Sequence, residues 1–548
     1  MLRRRTARWL LPCLLLAVTA AQAGVANQEM LARRLRAHVD FLADDLLRGR
    51  EAGSDGYAIA ANYVSSQYRQ IGLVPAAGAG RYQQRVPLRS SRLVDGSAGM
   101  AVSRDGRTTR LRFLEQFFMA PDLAHTESDF EAPMVFVGYG IEAPEMGYND
   151  YANIDVGGKI VVFLAGQPPA FSDEEGVRFG AIRERSAAAA RHGAVGMVII
   201  HTPRAEQQTP WLRFRELAGM PAMDWLTGEG KPHSVFEKLQ AVAYVNFAAA
   251  EVLFDETPHG LRSLLYLDER GNPLPVFNLY GRLRLQQRSR HRVVFSPNVV
   301  GLLKGSDPQK AHEYVLYTAH LDHLGEVPPP AGGAKPGDRI YNGALDNAAG
   351  VAVMLETARL FTQARAPRRS LLFVAVTAEE KGLVGSDYFA NNPPVPAADI
   401  VADINIDMPV LLYDFGDVIA YGSEHSSLGR AVAQAAREAG VTLTPDPFPE
   451  RNLFIRSDHY SFVQQGIPSV FLVTGFSNRG AATDSRAVFE RFLREHYHQP
   501  SDQPDLPLDY AAGARFTRIN KRVGEIIANQ AERPRWRQDD VFGRIQRR

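Results

Sequence analysis

The stretch Leu371–Ser386, LLFVAVTAEEKGLVGS, decides the fold. Its unbroken apolar run, Leu371 to Val376, reads as a strand buried on both faces, the kind found in a mostly parallel sheet covered by helices. The run is followed by two adjacent acids, Glu379 and Glu380. Side-by-side carboxylates at the end of a buried strand repel and lose hydration, so the pair costs free energy unless cations or well-placed donors compensate it. In open sheets of this class ligands bind beyond the carboxyl ends of the strands, which is where these two glutamates fall.

Working outward, YVLYTAH, VADINID and SVFLVTG repeat the same pattern, separated by helical segments such as AAGVAVMLETARLFTQ and SLGRAVAQAAREAG. Strands alternating with helices predict an α/β domain with a mixed, mostly parallel sheet sandwiched by helices. Upstream, the apolar spacing of Val39, Leu42, Ile59, Ala60, Tyr63 and Val64 predicts two helices interrupted by a Gly-rich turn. From about Asp122 the texture changes to short β-rich runs, APMVFVGYGI, GKIVVFLAG and AVGMVIIHT, with IRERSAAAARHGA as a helix closed by glycine. This predicts a separate compact α/β module. The loop Gly325–Arg339, GEVPPPAGGAKPGDR, is too rich in Pro and Gly for regular structure and reads either as a spacer or as a substrate-facing lid.

The residues at the strand ends carry the chemistry. His320 and Asp322 follow the first strand, Glu379 and Glu380 the second, and Asp407 the third. Asp346 stands in a small-residue turn that opens a helix, and His498 in a Pro-rich loop. One shared carboxylate with terminal His and acid ligands is what two divalent cations about 3.5–4 Å apart require. Asp346 suits the bridge, His320 and Asp407 one cation, Glu380 and His498 the other. Glu379 can then stand beside a bridging water as general base, and Asp322 can orient the His320 imidazole. His323 competes with His320 as a ligand. His312, His425 and His496 read as surface residues, and the Ser457–Phe462 segment reads equally as a pocket wall or a helix cap. Ser457, Asp458 and His459 make no nucleophilic triad on spacing alone.

The ordered set TAHLDH, NGALDNAAG, VTAEEKGLVGS, NIDM and YHQPSD resembles metallopeptidase family 28, the co-catalytic zinc aminopeptidases. The resemblance implies a zinc-peptidase, phosphorylase/hydrolase-like fold and two Zn2+ ions. By it His320 and Asp407 hold one ion and Glu380 and His498 the other; Asp346 bridges, Glu379 is the base, Asp322 buttresses His320, and Tyr497 helps stabilise the tetrahedral oxyanion. FLADDLLRGREAG is similar to the start of the same peptidases, and the β-rich middle is similar to the protease-associated (PA) domain inserted in that family. Leu345 departs from the polar residue common in the bridging turn.

These readings divide the chain into a signal peptide over 1–23, the N-terminal part of the peptidase domain over 24–121, the PA domain over 122–288, the catalytic domain over 289–535 and a basic tail over 536–548. The Arg-rich, then apolar start with small residues at Ala21–Ala23 reads as a secretory leader, so a periplasmic or secreted location is expected. The single cysteine, Cys13, lies inside that leader, which leaves His and carboxylates as the ligands. A net charge of +1 gives no global field toward nucleic acid, and no later run is apolar and long enough for a membrane helix. The expected activity is a di-zinc aminopeptidase acting on peptides through a metal-bridged hydroxide. A carboxypeptidase or dipeptidase, with Arg451 or Arg456 gripping a substrate carboxylate, is the alternative, and a non-catalytic receptor-like protein a third reading.

Overall fold

The structure is a computed structural model and describes residues 10–326, 337–479, 484–538 and 540–544. The start of the expected leader, most of the Gly325–Arg339 loop and the last residues of the basic tail lie outside the described residues. No helix among the described residues is long and apolar enough to cross a membrane.

The chain forms two compact units, one made of the residues up to Val86 with Ser296–Pro447 and those from Arg456 on, the other of Pro87–Phe295 with Phe448–Ile455. In the first unit the strands are β1 (Val276–Leu303, whose end from Ser296 belongs here), β2 (Tyr314–His320), β3 (Ser370–Val376), β4 (Ile400–Ile406), β5 (Asp417–Tyr421), β6 (Thr442–Thr444) and β7 (Ser469–Thr474). Strand β3 lies parallel to β2, β2 to β4 and β4 to β7, while β1 pairs antiparallel with β3 and β5 antiparallel with β7. The sheet is thus parallel at its centre with an antiparallel pairing on either side, and β6 pairs parallel with β5. The sequence pattern shows the central strands because they are apolar throughout, whereas β5 and β6 are too short to stand out.

Every residue of β3 and β4 is buried. Because side chains alternate across a strand, Leu371, Phe373 and Ala375 face one core and Leu372, Val374 and Val376 the other. The first core is closed by α1 (Leu10–Leu42), α2 (Asp55–Ile71), α3 (Ala349–Thr362), α5 (Leu428–Glu438) and α7 (Tyr510–Asn529), through residues such as Leu35, Val64, Val351, Val432 and Phe516. The second is closed by α4 (Val384–Asn391) and α6 (His459–Val463), through Phe389 and Phe462. Both faces of the sheet are therefore dry, and the carboxyl ends of its parallel strands are left to carry polar groups.

In the second unit Glu127–Val137, Ile160–Leu164, Gly196–His201 and Val242–Asn246 form a parallel run, and Val276–Leu303 pairs antiparallel with Glu127–Val137 and with Gly99–Arg104. The helix Ile182–Arg191 packs Ala188 and Ala189 against Val161 and Ile199 of this sheet.

Candidate metal centre

Strand β2 ends at His320 and β4 one residue before Asp407, so two parallel neighbours deliver an imidazole and a carboxylate to the same edge. His320 Nε2 lies 3.1 Å from Asp407 Oδ1 and 3.2 Å from Asp346 Oδ1. On the other side of Asp346, His498 Nε2 lies 3.1 Å from Asp346 Oδ2 and 3.3 Å from Glu380 Oε2. Ligand atoms around a tetrahedral zinc are spaced at about 3.3 Å, given zinc–ligand distances of about 2.0–2.2 Å. Both sets fit that spacing, and Asp346 offers one oxygen to each. Glu380 Oε1 is buried with no hydrogen-bond partner, as is expected of an atom kept for a cation. His323 joins the second set: its Nδ1 lies 2.7 Å from Glu380 Oε1 and 4.0 Å from Asp346 Oδ2.

The loops carrying these side chains are fixed by buried polar groups. Asp502 accepts hydrogen bonds from the Leu345 amide at 2.9 Å and the Asp346 amide at 3.0 Å, holding the bridging turn. Asn347 donates to the Ile406 carbonyl and accepts from the Met408 amide, tying that turn to the end of β4, and the Asp346–Asn347 peptide is cis. Arg50, 1% exposed, donates to the carbonyls of Leu321, Leu42, Asn342 and Gly343, so one guanidinium clasps both the His320 and the Asp346 loops. Burial lowers its pKa to about 10, against the pull of Asp346, Asp322, Asp502 and Glu380, so it stays charged at neutral pH. Ala378, Met408 and His498 all adopt positive φ (54°, 40° and 56°), a conformation that costs of order 1 kcal/mol for a residue with a Cβ. Each is a site residue or adjoins one, so local strain is spent on aiming these side chains.

Two expectations are corrected. The Asp322 carboxylate was expected to orient His320, but it accepts the Glu379 amide at 3.0 Å and the Glu380 amide at 3.3 Å instead; the His320 Nδ1 meets the Asp322 main-chain carbonyl at 3.1 Å. The reason is that the two amides of the turn after β3 occupy one Asp322 carboxylate oxygen each. His425, read as a surface residue, is buried and its Nδ1 lies 2.7 Å from Asp540 Oδ2. Of the two open readings of Ser457, the structure shows the contact with the site: Ser457 donates to Asp407 Oδ2 at 2.7 Å while accepting from Asn405. Tyr497 stacks on the His498 ring at a centroid distance of 3.8 Å. Arg451 lies over the Phe448 ring and Arg456 is exposed.

Electrostatics separate the two adjacent glutamates. Burial opposes ionisation of both, but His498 and His323 hold Glu380 below the usual carboxyl range. At Glu379 burial wins, reinforced by Glu380, Asp458 and Asp407 and only partly offset by His320, and its carboxyl is pushed well above that range. Burial also acts against Asp346, yet hydrogen bonds from His320 and His498 hold it well below. Tyr497 is pushed well above its ordinary value by burial and by the carboxylates of Asp346, Glu380, Glu379 and Asp407.

The sequence profile of peptidase family M28 matches residues 298–523, which contain every residue of the two clusters. This region resembles peptidase family M28. A "Probable zinc metalloprotease" of Pyrenophora teres f. teres (strain 0-1) is 37% identical over 121 residues, 21% of this chain and 24% of the relative. "Aminopeptidase NAALADL1" of Mus musculus is 30% identical over 228 residues, 40% of this chain and 27% of the relative. The chain thus spans about a quarter of the length of these relatives. Among solved structures, an aminopeptidase from Aneurinibacillus sp. strain AM-1 matches with a TM-score of 0.53 and 19% identity, covering 91% of this chain and 95% of that one. That likeness shows a shared α/β fold.

Proposed function

We propose that this protein is a two-zinc aminopeptidase. The observation that carries the reading is the sharing of Asp346 between two ligand sets, His320–Asp407 and Glu380–His498, with neighbouring ligand atoms 3.1–3.3 Å apart in each. When bound there, zinc supplies Lewis acidity toward a peptide carbonyl and makes water a nucleophile at neutral pH. The protein supplies the rest. Asp346 and Asp407 lend the negative charge that a pair of dications needs, and Ser457 fixes which Asp407 oxygen stays free. Glu379, with its pKa raised, takes a proton at its carboxylate from the attacking water and passes it to the departing amine. Tyr497, held protonated beside the carboxylates, is the candidate donor to the developing oxyanion.

The Arg-rich, then apolar start supports reading the protein as exported to the periplasm or the medium. The parallel run between Glu127 and Asn246 supports reading the middle of the chain as a PA-type module. The relatives' names and the family match support the peptidase class, with aminoacyl chromogenic peptides as the matching substrates. The test is hydrolysis of such substrates beside their N-blocked counterparts, with and without a chelator. Chelator-sensitive cleavage of the free-amine substrate is expected; equal cleavage of blocked peptides would end the aminopeptidase reading. Glu379→Gln should retain zinc while losing most turnover, and full activity in that zinc-loaded variant would remove Glu379 from the base role.

A further inference from the structure

Resting on the two-zinc reading, we propose that His323 is a fourth protein ligand at the Asp346–Glu380–His498 position, so that this position holds two imidazoles and fills before the His320–Asp346–Asp407 position. His323 is fully buried, and neither ring nitrogen has a hydrogen-bond partner. A buried imidazole left without partners is costly, and its surroundings show what it faces. Its Nδ1 lies 2.7 Å from Glu380 Oε1 without the alignment of a hydrogen bond, and 4.0 Å from Asp346 Oδ2, while its ring lies edge-on to His498 with centroids 5.8 Å apart. Those distances bracket the spacing of ligand atoms around one cation, roughly 3–4 Å. A carboxylate oxygen and an imidazole nitrogen pressed together in a dry site need positive charge beside them, which the proposed cation supplies.

The pocket is also shaped for this ring. A Cβ on Gly343, whose φ is +59°, would stand 2.2 Å from the Asp346 carbonyl oxygen and 2.6 Å from the His323 Cγ and Cδ2 atoms, so glycine there admits both the bridging turn and the ring. The His323 amide donates to the Arg50 carbonyl at 3.3 Å, which ties its backbone to the segment clasping both ligand loops. Each cation position has two carboxylates when Asp346 is counted in both, so charge does not distinguish them. The additional neutral nitrogen donor does, and it favours zinc, a good imidazole acceptor, at the Glu380 side.

The test uses the full chain stripped of metal and titrated with Zn2+ against a chromogenic chelator, and with Co2+ followed by its visible absorption. Two unequal steps are expected for the unsubstituted protein, and X-ray absorption of the one-equivalent zinc form should count two imidazoles. In His323→Gln the tighter step should weaken at least tenfold and its Co2+ bands should shift, with the weaker step unchanged. A count of one imidazole, or an unshifted band with affinity lost, would overturn ligation, because His323 would then act only through Glu380; the X-ray count does so even if the variant fails to fold. Two steps unaltered by the substitution would also overturn it while leaving the two-zinc reading standing. If the unsubstituted protein takes up no cation, the two-zinc reading itself fails.

Discussion

Replacing Arg50 by lysine probes how far one buried group organises the centre. The guanidinium reaches four carbonyls, on Leu42, Leu321, Asn342 and Gly343, from a position with almost no solvent exposure. Hydrogen bonds to a charged group contribute about 1.5–3 kcal/mol each. An ammonium is a compact point charge on a shorter stem, so lysine cannot span carbonyls that a planar fork bridges. Losing about two of the bonds while keeping a buried, poorly paired charge places the cost at about 3–5 kcal/mol. That is a large part of the roughly 5–15 kcal/mol that holds a domain together. Urea unfolding followed by tryptophan fluorescence and circular dichroism should therefore show Arg50→Lys with a much lower midpoint at unchanged slope. Zinc affinity should fall in parallel, because Leu321 and Gly343 flank the ligands. A loss below about 1 kcal/mol, the size of an ordinary surface change, would refute the reasoning.

Glu356 predicts an acid sensitivity away from the centre. It is fully buried and bonded to Arg34, His38 and Arg359; against the penalty of burial these partners lower its pKa to about 2. A depressed carboxyl stabilises the fold above its unfolded pKa of about 4.3 and loses that contribution as pH falls toward 2, so about 2 kcal/mol should vanish between pH 6 and pH 3. Urea midpoints at the two pH values should show that difference for the native chain and not for Glu356→Gln; equal acid losses in both would refute it. Asp502→Asn presents an amide NH2 toward the Leu345 and Asp346 amides that Asp502 now holds. Zinc should bind about 10–100-fold more weakly at both positions, since both use Asp346, and an unchanged titration would show the bridging turn to be held some other way.

The central strands and most of the centre were legible in the sequence for a local reason. A strand buried on both faces is apolar along its whole length, so acids and imidazoles at its carboxyl end stand out, as His320, Glu379, Glu380 and Asp407 do. Asp346 and His498 lie in loops, where the ordered motif around them singled them out. The strands β5 and β6, by contrast, are short segments whose pairing is set by neighbours far along the chain.

What the sequence determined by itself is therefore the class of fold and the set of polar groups delivered to one edge of the sheet. How those groups are held depends on contacts between residues far apart in the chain. Arg50 meets Gly343 across 293 positions, Asp502 meets Leu345 across 157, and Ser457 meets Asp407 across 50. Such contacts leave no periodicity, and a buried arginine or aspartate in the sequence looks like any exposed one. The same holds for His323, which stands three positions after His320 and competes with it as a ligand when only the sequence is read. The fold brings both histidines to Asp346, His320 on one oxygen and His323 nearer the other, because β2 ends at His320 and the chain then turns beneath Arg50.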